Sequence, residues 1–419
     1  MTDLKQSALD LFQVGVDRAD PARALRQQLI HEPLPQPDEG GCLFVVAIGK
    51  AAAPMMREAL SQITTEVQAL VVTNPENNQE IDGAEVLLGN HPVPDETSAC
   101  AGRAVLDFVG RARAQDRVIA LISGGGSALA VAPSAGLTLE DKSIVNRLLL
   151  GAGLDITQMN LVRQQLSELK GGGLLRQAAP APVTAYILSD VVGDDLRAIA
   201  SGPTVAAIAD RQAARDLLER ADLWNDTPEA VCAHLSAPVG SALRPSARNM
   251  LVGSNRFSLE AVASAARANW ETTIVSHALE GDVKDAAREI VKAAQNSPEN
   301  RPIALLWGGE TTVQLRGTGL GGRNQELALR VAQMGADLIP GNWVFLSAGT
   351  DGRDGPTDAA GGIVTRRSWQ NIKDAGQDPE ALLDNNDSNA ALAAARALVI
   401  TGGTGTNVAD LQIFLRLPD

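Results

Sequence analysis

The chain has 419 residues, 45% of them hydrophobic, with 39 Gly, only 3% aromatic residues and a formal net charge of −14. That length is too great for one typical core and predicts two domains, and the Ala/Val/Leu/Gly-rich balance fits an α/β enzyme. The negative charge excludes a general nucleic-acid or membrane-surface binder but leaves room for a local basic pocket.

Leu4, Ala8, Leu11 and Phe12 are spaced for an amphipathic helix, the first of two before a Pro-rich loop at His31–Gly40. They do not read as a signal peptide. The first strand is Leu43–Ile48, and Gly49-Lys50 follows it into a helix. Further short apolar runs predict strands at Ala69–Thr73, Val86–Leu88, Val118–Ile122, Val183–Leu188, Met250–Val252, Thr273–Val275, Ile303–Leu306, Val344–Leu346 and Leu398–Ile400. Val313–Arg316 reads as the return strand of a hairpin after Ile303–Leu306. Helical stretches between many of these runs predict mostly parallel sheets in the first domain and a mixed sheet in the second. The predicted boundary lies near Ala237–Pro245, giving domains of about 1–240 and 241–419. Cys42, Cys100 and Cys232 form no close pair, which fits a reduced, cytoplasmic protein without structural zinc. No apolar run approaches the length of a membrane span.

A strand, then glycines, then Ser or Thr, recurs at Ser123–Ser127, Gly308–Thr312 and Thr401–Thr404. Gly124, Gly125, Gly126 and Ser127 suit a phosphate cradle, because bare glycines leave backbone N–H groups open to an anion. Gly317–Gly322 satisfies GxGxxG ahead of Arg323, yet no acid follows at the spacing that grips a ribose, so it reads as an anion loop rather than a dinucleotide site. Lys50 and Arg323 both sit at a helix start, where a cation has the wrong sign unless an anion is held there. Two acidic clusters, Ser189–Asp195 and Gly349–Asp358, follow strands. Asp190 and Asp351, the first acids past each strand, could hold Mg²⁺; turn and cap chemistry explains Asp195, Asp354 and Asp358 better. His91, in the loop Asn90–Asp95, could bind substrate or serve as a base, or be structural. Asn160–Gly173 reads as a helix ending in glycines, with Arg163 and Lys170 two turns apart on one face.

Taken together and in this order, the stretches Ala47–Ala52, Gly89–Asp95, Ile122–Ala128, Ser189–Asp195, Ile199–Thr204, Gly308–Thr312, Gly321–Glu326, Gly349–Ala360 and Thr401–Asn407 resemble the class II, MOFRL-domain glycerate 2-kinases, whose relatives are often labelled hydroxypyruvate reductase. The resemblance spans nearly the whole chain. It implies a Rossmann-like N-terminal domain, a C-terminal α/β domain with its MOFRL segment at about 303–411, and an active site in the inter-domain cleft. It further implies ATP- and Mg²⁺-dependent phosphorylation of D-glycerate at the 2-hydroxyl, with Lys50 and Arg323 catalytic. Members commonly carry an arginine where this chain has Gly173. On this reading Asp190 and Asp351 are catalytic or metal-binding, and Gly124–Ser127, Glu310 and Asn324 face the nucleotide. Lys50, His91 and Arg323 then face the substrate. An NAD(P)H-dependent hydroxypyruvate reductase and a non-catalytic nucleotide-binding protein are the alternatives, and a homodimer is left open.

Overall fold

The computed structural model describes residues 3–238 and 246–418. Two six-stranded sheets carry the chain. The first holds β1 (Leu43–Ile48), β2 (Val67–Thr73), β3 (Glu85–Leu88), β4 (Arg117–Ile122), β5 (Val183–Leu188) and β6 (Ala247–Gly253), in the order β3-β2-β1-β4-β5-β6. The pairings that join β1 to β2 and β4, β2 to β3 and β4 to β5 are all parallel. All six residues of β1 are buried, as a central parallel strand covered on both faces requires. The strand order is that of a doubly wound sheet, with its switch point between β1 and β4.

The second sheet holds β7 (Glu271–Asp282), β8 (Ile303–Thr312), β9 (Asn342–Gly349), β10 (Gly361–Thr365), β11 (Leu398–Val399) and β12 (Asp410–Leu417), in the order β11-β10-β9-β12-β8-β7. Only β7 and β8 pair in parallel; β8–β12, β12–β9, β9–β10 and β10–β11 are antiparallel. The sheet is mixed, as expected, but not through the hairpin read from the sequence. Val313–Arg316 is not a strand; β8 runs on through Gly308 and Gly309 to Thr312, and β12, from the far end of the chain, supplies the antiparallel neighbour. The glycines of β8 are therefore strand residues, not a loop beyond it. A methyl group on Gly308 would lie 2.0 Å from Asn255 Oδ1, and one on Gly309, at φ +147°, would lie 2.4 Å from Leu279 N, so both admit close neighbours.

The chain divides into two compact units. One contains Ala24–Ser189 and Asp194–Val252; the other contains the residues up to Arg23, Asp190–Gly193 and everything from Gly253 on. The division differs from a single cut near residue 240, and residues 239–245, where that cut falls, lie outside the described residues. The N-terminal helix Leu4–Arg18 belongs with the later unit, its face of Leu4, Ala8, Leu11, Phe12 and Val16 packing with Leu259, Val262, Leu411 and Ile413. Asp3 caps it, accepting from the N–H groups of Lys5 and Gln6. Gly15 lets the partners come close, since a methyl there would sit 2.4 Å from Leu411 Cδ1.

Candidate active site

In the first unit the loops after β1, β3 and β4 meet around Gly125. Lys50 precedes the helix Ala52–Ser61 by two residues, just outside the first turn where it was expected. Its N–H donates to Gly124 O at 2.9 Å, and the next N–H, of Ala51, donates to Ser123 Oγ at 3.1 Å. These bonds clamp the turn after β1 to the glycine loop after β4, on either side of the switch point where doubly wound sheets bind ligands. Gly125 has φ +82°, a left-handed conformation natural to glycine. A methyl on it would lie 3.2 Å from Lys50 Cγ and 3.3 Å from His91 Cδ2, so all three residues converge. Burial, with Lys50 adding to it, holds the imidazole of His91 below its ordinary pKa, hence neutral at neutral pH.

Ser127 lies in the short helix Gly126–Leu129. Its Oγ accepts from Lys170 Nζ at 2.7 Å and contacts Ser201 Oγ at 3.0 Å. Lys170 does not share a helix with Arg163, contrary to the sequence reading. The helix Ile156–Gln165 stops first, and a turn through Gly171 and Gly172, at φ +53° and +77°, leads into a new helix, Gly173–Ala178. Ser167 Oγ holds that turn by accepting from Leu169 and Lys170 N–H.

In the second unit Arg323 is the first residue of the helix Arg323–Leu338. It is not an unpaired cation awaiting an anion. Its Nε and Nη2 donate to the two oxygens of Asp410, at 2.6 and 3.0 Å, and Nη1 pairs with Glu310 Oε1 at 2.8 Å. Asp410 opens β12, is fully buried, and is flanked in register by Gly309 and Gly349. A methyl on Gly349 would lie 3.1 Å from Asp351 Oδ1 and 3.4 Å from Asp410 Oδ1, so this glycine makes room for two carboxylates. Burial raises the pKa of Glu310; Arg323 opposes the shift, and Asp410, Asp190 and Asp351 reinforce it. Three other carboxylates thus bear on Glu310 against one guanidinium, an excess of negative charge.

The helix start behind Arg323 is already satisfied. Asp354 accepts from Asn324 N–H at 3.1 Å and Gln325 N–H at 2.8 Å, filling the position expected for a ligand's anion. Asn324 is buried, its amide shared between Asp354 and Ser347, which closes it to a nucleotide. The glycines of Gly317–Gly322 also have neighbours: methyls on Gly317, Gly319, Gly321 and Gly322 would lie within 2.5 Å of Asn385, Asp387, Ser388 and Asp354. Packing against the Asn385–Ser388 turn accounts for that motif. Asp351 Oδ1 accepts from Arg353 N–H at 3.0 Å, a turn contact. Asp190 falls in the second unit although it follows β5. Asp410 was missed in the sequence, where it stands in no cluster and opens a strand whose apolar run is broken by Gln412 and Arg416. Among the described residues no group of three or more His, Cys, Asp or Glu is arranged to hold a metal ion, and no helix is long and apolar enough to cross a membrane.

A doubly wound sheet with a glycine loop at its switch point, joined in one chain to a mixed sheet carrying an acidic cluster, defines a two-domain α/β protein of the enzyme type. Residues 7–236 match the family described as Domain of unknown function (DUF4147), and residues 303–410 match the MOFRL family. A protein named glycerate 2-kinase from Pyrococcus horikoshii is 38% identical over 98% of this chain and 97% of its own length. D-glycerate 2-kinase from Thermotoga maritima is 36% identical over 98% of both chains. A putative hydroxypyruvate reductase of Agrobacterium vitis is 39% identical over 97% of this chain and 93% of its own. The crystal structure of a glycerate kinase from Thermotoga maritima superposes with a TM-score of 0.91 over 99% of both chains, at 37% identity. The chain belongs to the DUF4147–MOFRL family of glycerate kinases.

Proposed function

We propose that this protein transfers the terminal phosphoryl group of ATP to the 2-hydroxyl of D-glycerate, giving 2-phosphoglycerate. The convergence of Lys50, His91 and the Gly124–Ser127 loop at the switch point of a Rossmann-like sheet carries this reading, supported by full-length relatives named for the activity. Phosphoryl transfer asks the protein mainly for positioning and charge stabilisation. The N–H groups of Gly124–Gly126 hold nucleotide phosphates, and Lys50 steadies the phosphoryl in transfer or the glycerate carboxylate. Neutral His91 offers a lone pair to the substrate. Arg323 orients Asp410 and Glu310, and three of its N–H groups are engaged there, leaving others for an anionic ligand. Asp190 and Asp351 would hold Mg²⁺, a choice favoured by the surplus of carboxylates. When bound, the ion neutralises phosphate charge. Three free cysteines fit a cytoplasmic setting.

The deciding experiment mixes purified protein with ATP, Mg²⁺ and D-glycerate, follows ADP, and assigns the product by phosphorus NMR. D-glycerate-dependent ADP and 2-phosphoglycerate are expected. Exclusive 3-phosphoglycerate, or NADH consumption by hydroxypyruvate without a phosphorylated product, overturns the reading. The reductase alternative is disfavoured because the GxGxxG loop is packed against Asn385–Ser388.

A further inference from the structure

Behind Ser127 stands a group of basic side chains for which the reaction above has no use. Lys170 is only 6% exposed. Lys142 reaches in from the helix Leu139–Gly151 and donates from Nζ to Leu166 O at 2.9 Å. Arg163, on the helix Ile156–Gln165, is bonded to Asn146 Oδ1. The three act on one another. Burial, then Lys142 and Arg163, pulls Lys170 far below the usual lysine pKa, and burial with Arg163 brings Lys142 to about 7. Among the described residues no Asp or Glu makes a salt bridge to any of them, whereas Arg26, Arg117 and Arg323 are all paired with carboxylates. Gathering like charges where water is scarce disfavours folding. Apolar or amide side chains would fill the same space without that burden.

Hydrogen-bond directions in the loop show where these charges act. Ser201 gives its hydroxyl proton to Asn160 Oδ1 at 3.1 Å. In the 3.0 Å contact between the hydroxyls Ser127 must therefore be the donor, and it accepts from Lys170. Ser127 has no proton left for a ligand. Lys170 does: one of its N–H groups is used on Ser127, the amine keeps a second, and the charge of a bound phosphate draws on the proton that supplies a third. Charge selects the ligand. A carboxylate brings one negative charge, a phosphate monoester nearly two with three acceptor oxygens.

We propose that Lys142, Arg163 and Lys170 form a phosphate-binding pocket behind the Gly124–Ser127 loop, with Lys170 replacing Ser127 as the donor that reaches the ligand. The proposal rests on the kinase reading for its choice of phosphate ligands, which are ADP from the nucleotide side and 2-phosphoglycerate from the acid side.

The test is calorimetric binding at constant ionic strength of ADP, 2-phosphoglycerate, inorganic phosphate and D-glycerate to the whole protein and to Lys170→Met, Lys170→Arg and Lys142→Met. In Lys170→Met, ADP or 2-phosphoglycerate should bind at least tenfold more weakly, and the one affected identifies the source. D-glycerate binding should change less than twofold, and Lys170→Arg should recover most of the loss. Lys142→Met carries the test should Lys170→Met not fold. Phosphate ligands binding both Met variants within twofold of the parent, or not binding the parent at all, overturn the proposal. A parent that forms no ADP with D-glycerate, yet binds phosphate in a Lys170-dependent way, sinks the kinase reading and leaves the pocket standing.

Discussion

Lys50 is tied through its backbone, so its ammonium is free for a ligand while the fold depends little on it. Lys50→Ala should lower turnover by roughly a hundredfold or more with a thermal midpoint close to the parent's; near-normal turnover in a folded variant ends its catalytic role. Asp410 is the opposite case, a buried carboxylate holding two donors of Arg323. Asp410→Ala should cost about 1.5–3 kcal/mol, the worth of hydrogen bonds to charged groups, in denaturant unfolding of its unit, and an unchanged midpoint would show that Glu310 suffices. For Lys142 the sign follows from its pKa, about 7 folded against 10.5 for the free side chain. Between those values the unfolded chain holds a proton that the folded chain sheds, so this group's contribution to stability rises with pH there. Below 7 its full burden is present. Lys142→Met should therefore raise the thermal midpoint most near pH 6 and progressively less towards pH 9; a pH-independent gain would mean that packing alone changed.

Strands built mainly of apolar residues were legible, with Leu43–Ile48 and Val183–Leu188 matching to the residue. β10 and β12 were not, for physical reasons. β10 opens on two glycines, and β12 buries Gln412 and Arg416 among its apolar residues. Arg416 donates to Ala294 O, Ser297 O and Pro298 O, at the carboxyl end of the helix Val283–Gln295, a function that hydropathy cannot announce. At the candidate site, the turns that carry Lys50 and Gly124–Ser127 were legible because local chain geometry places them after strands; the engagement of Arg323 by Asp410, 87 residues away, was not. Glycine after a strand suggests openness to ligands, yet in β8 it serves packing. Asn255 shows this: its Nδ2 donates to Val408 O and Asp410 O, both at 2.8 Å, and its Oδ1 abuts Gly308. Gly308→Ala should displace Asn255, loosen the start of β12 and cost about 1–3 kcal/mol, as overpacking does. Unchanged unfolding would mean the strand shifts without loss.

The first helix lends its apolar face to a sheet built from the other end of the chain. Each of its buried Leu, Phe and Val side chains is worth about 1.5–3 kcal/mol. A fragment starting at residue 246 should therefore expose that core, bind hydrophobic dyes and lack a sharp thermal transition, and a synthetic peptide of residues 1–23 should restore both properties. A fragment that melts cooperatively alone would reduce the helix to decoration.

The same helix carries a consequence for synthesis. Gly15 O accepts from Ser258 Oγ at 2.8 Å, Ala19 O accepts from Thr406 Oγ1 at 2.6 Å, and Gly15 abuts Leu411. The helix has its seat among residues made up to 387 positions after it. At about 5–20 residues per second, that interval takes roughly 20–80 s to make. Throughout that time the oily face of the helix has no native berth, while the unit that begins at Ala24 is free to fold beside it. Nascent chains stalled before Leu411 should thus hold this helix open to chaperones and proteases, and chains that have emerged past β12 should close it.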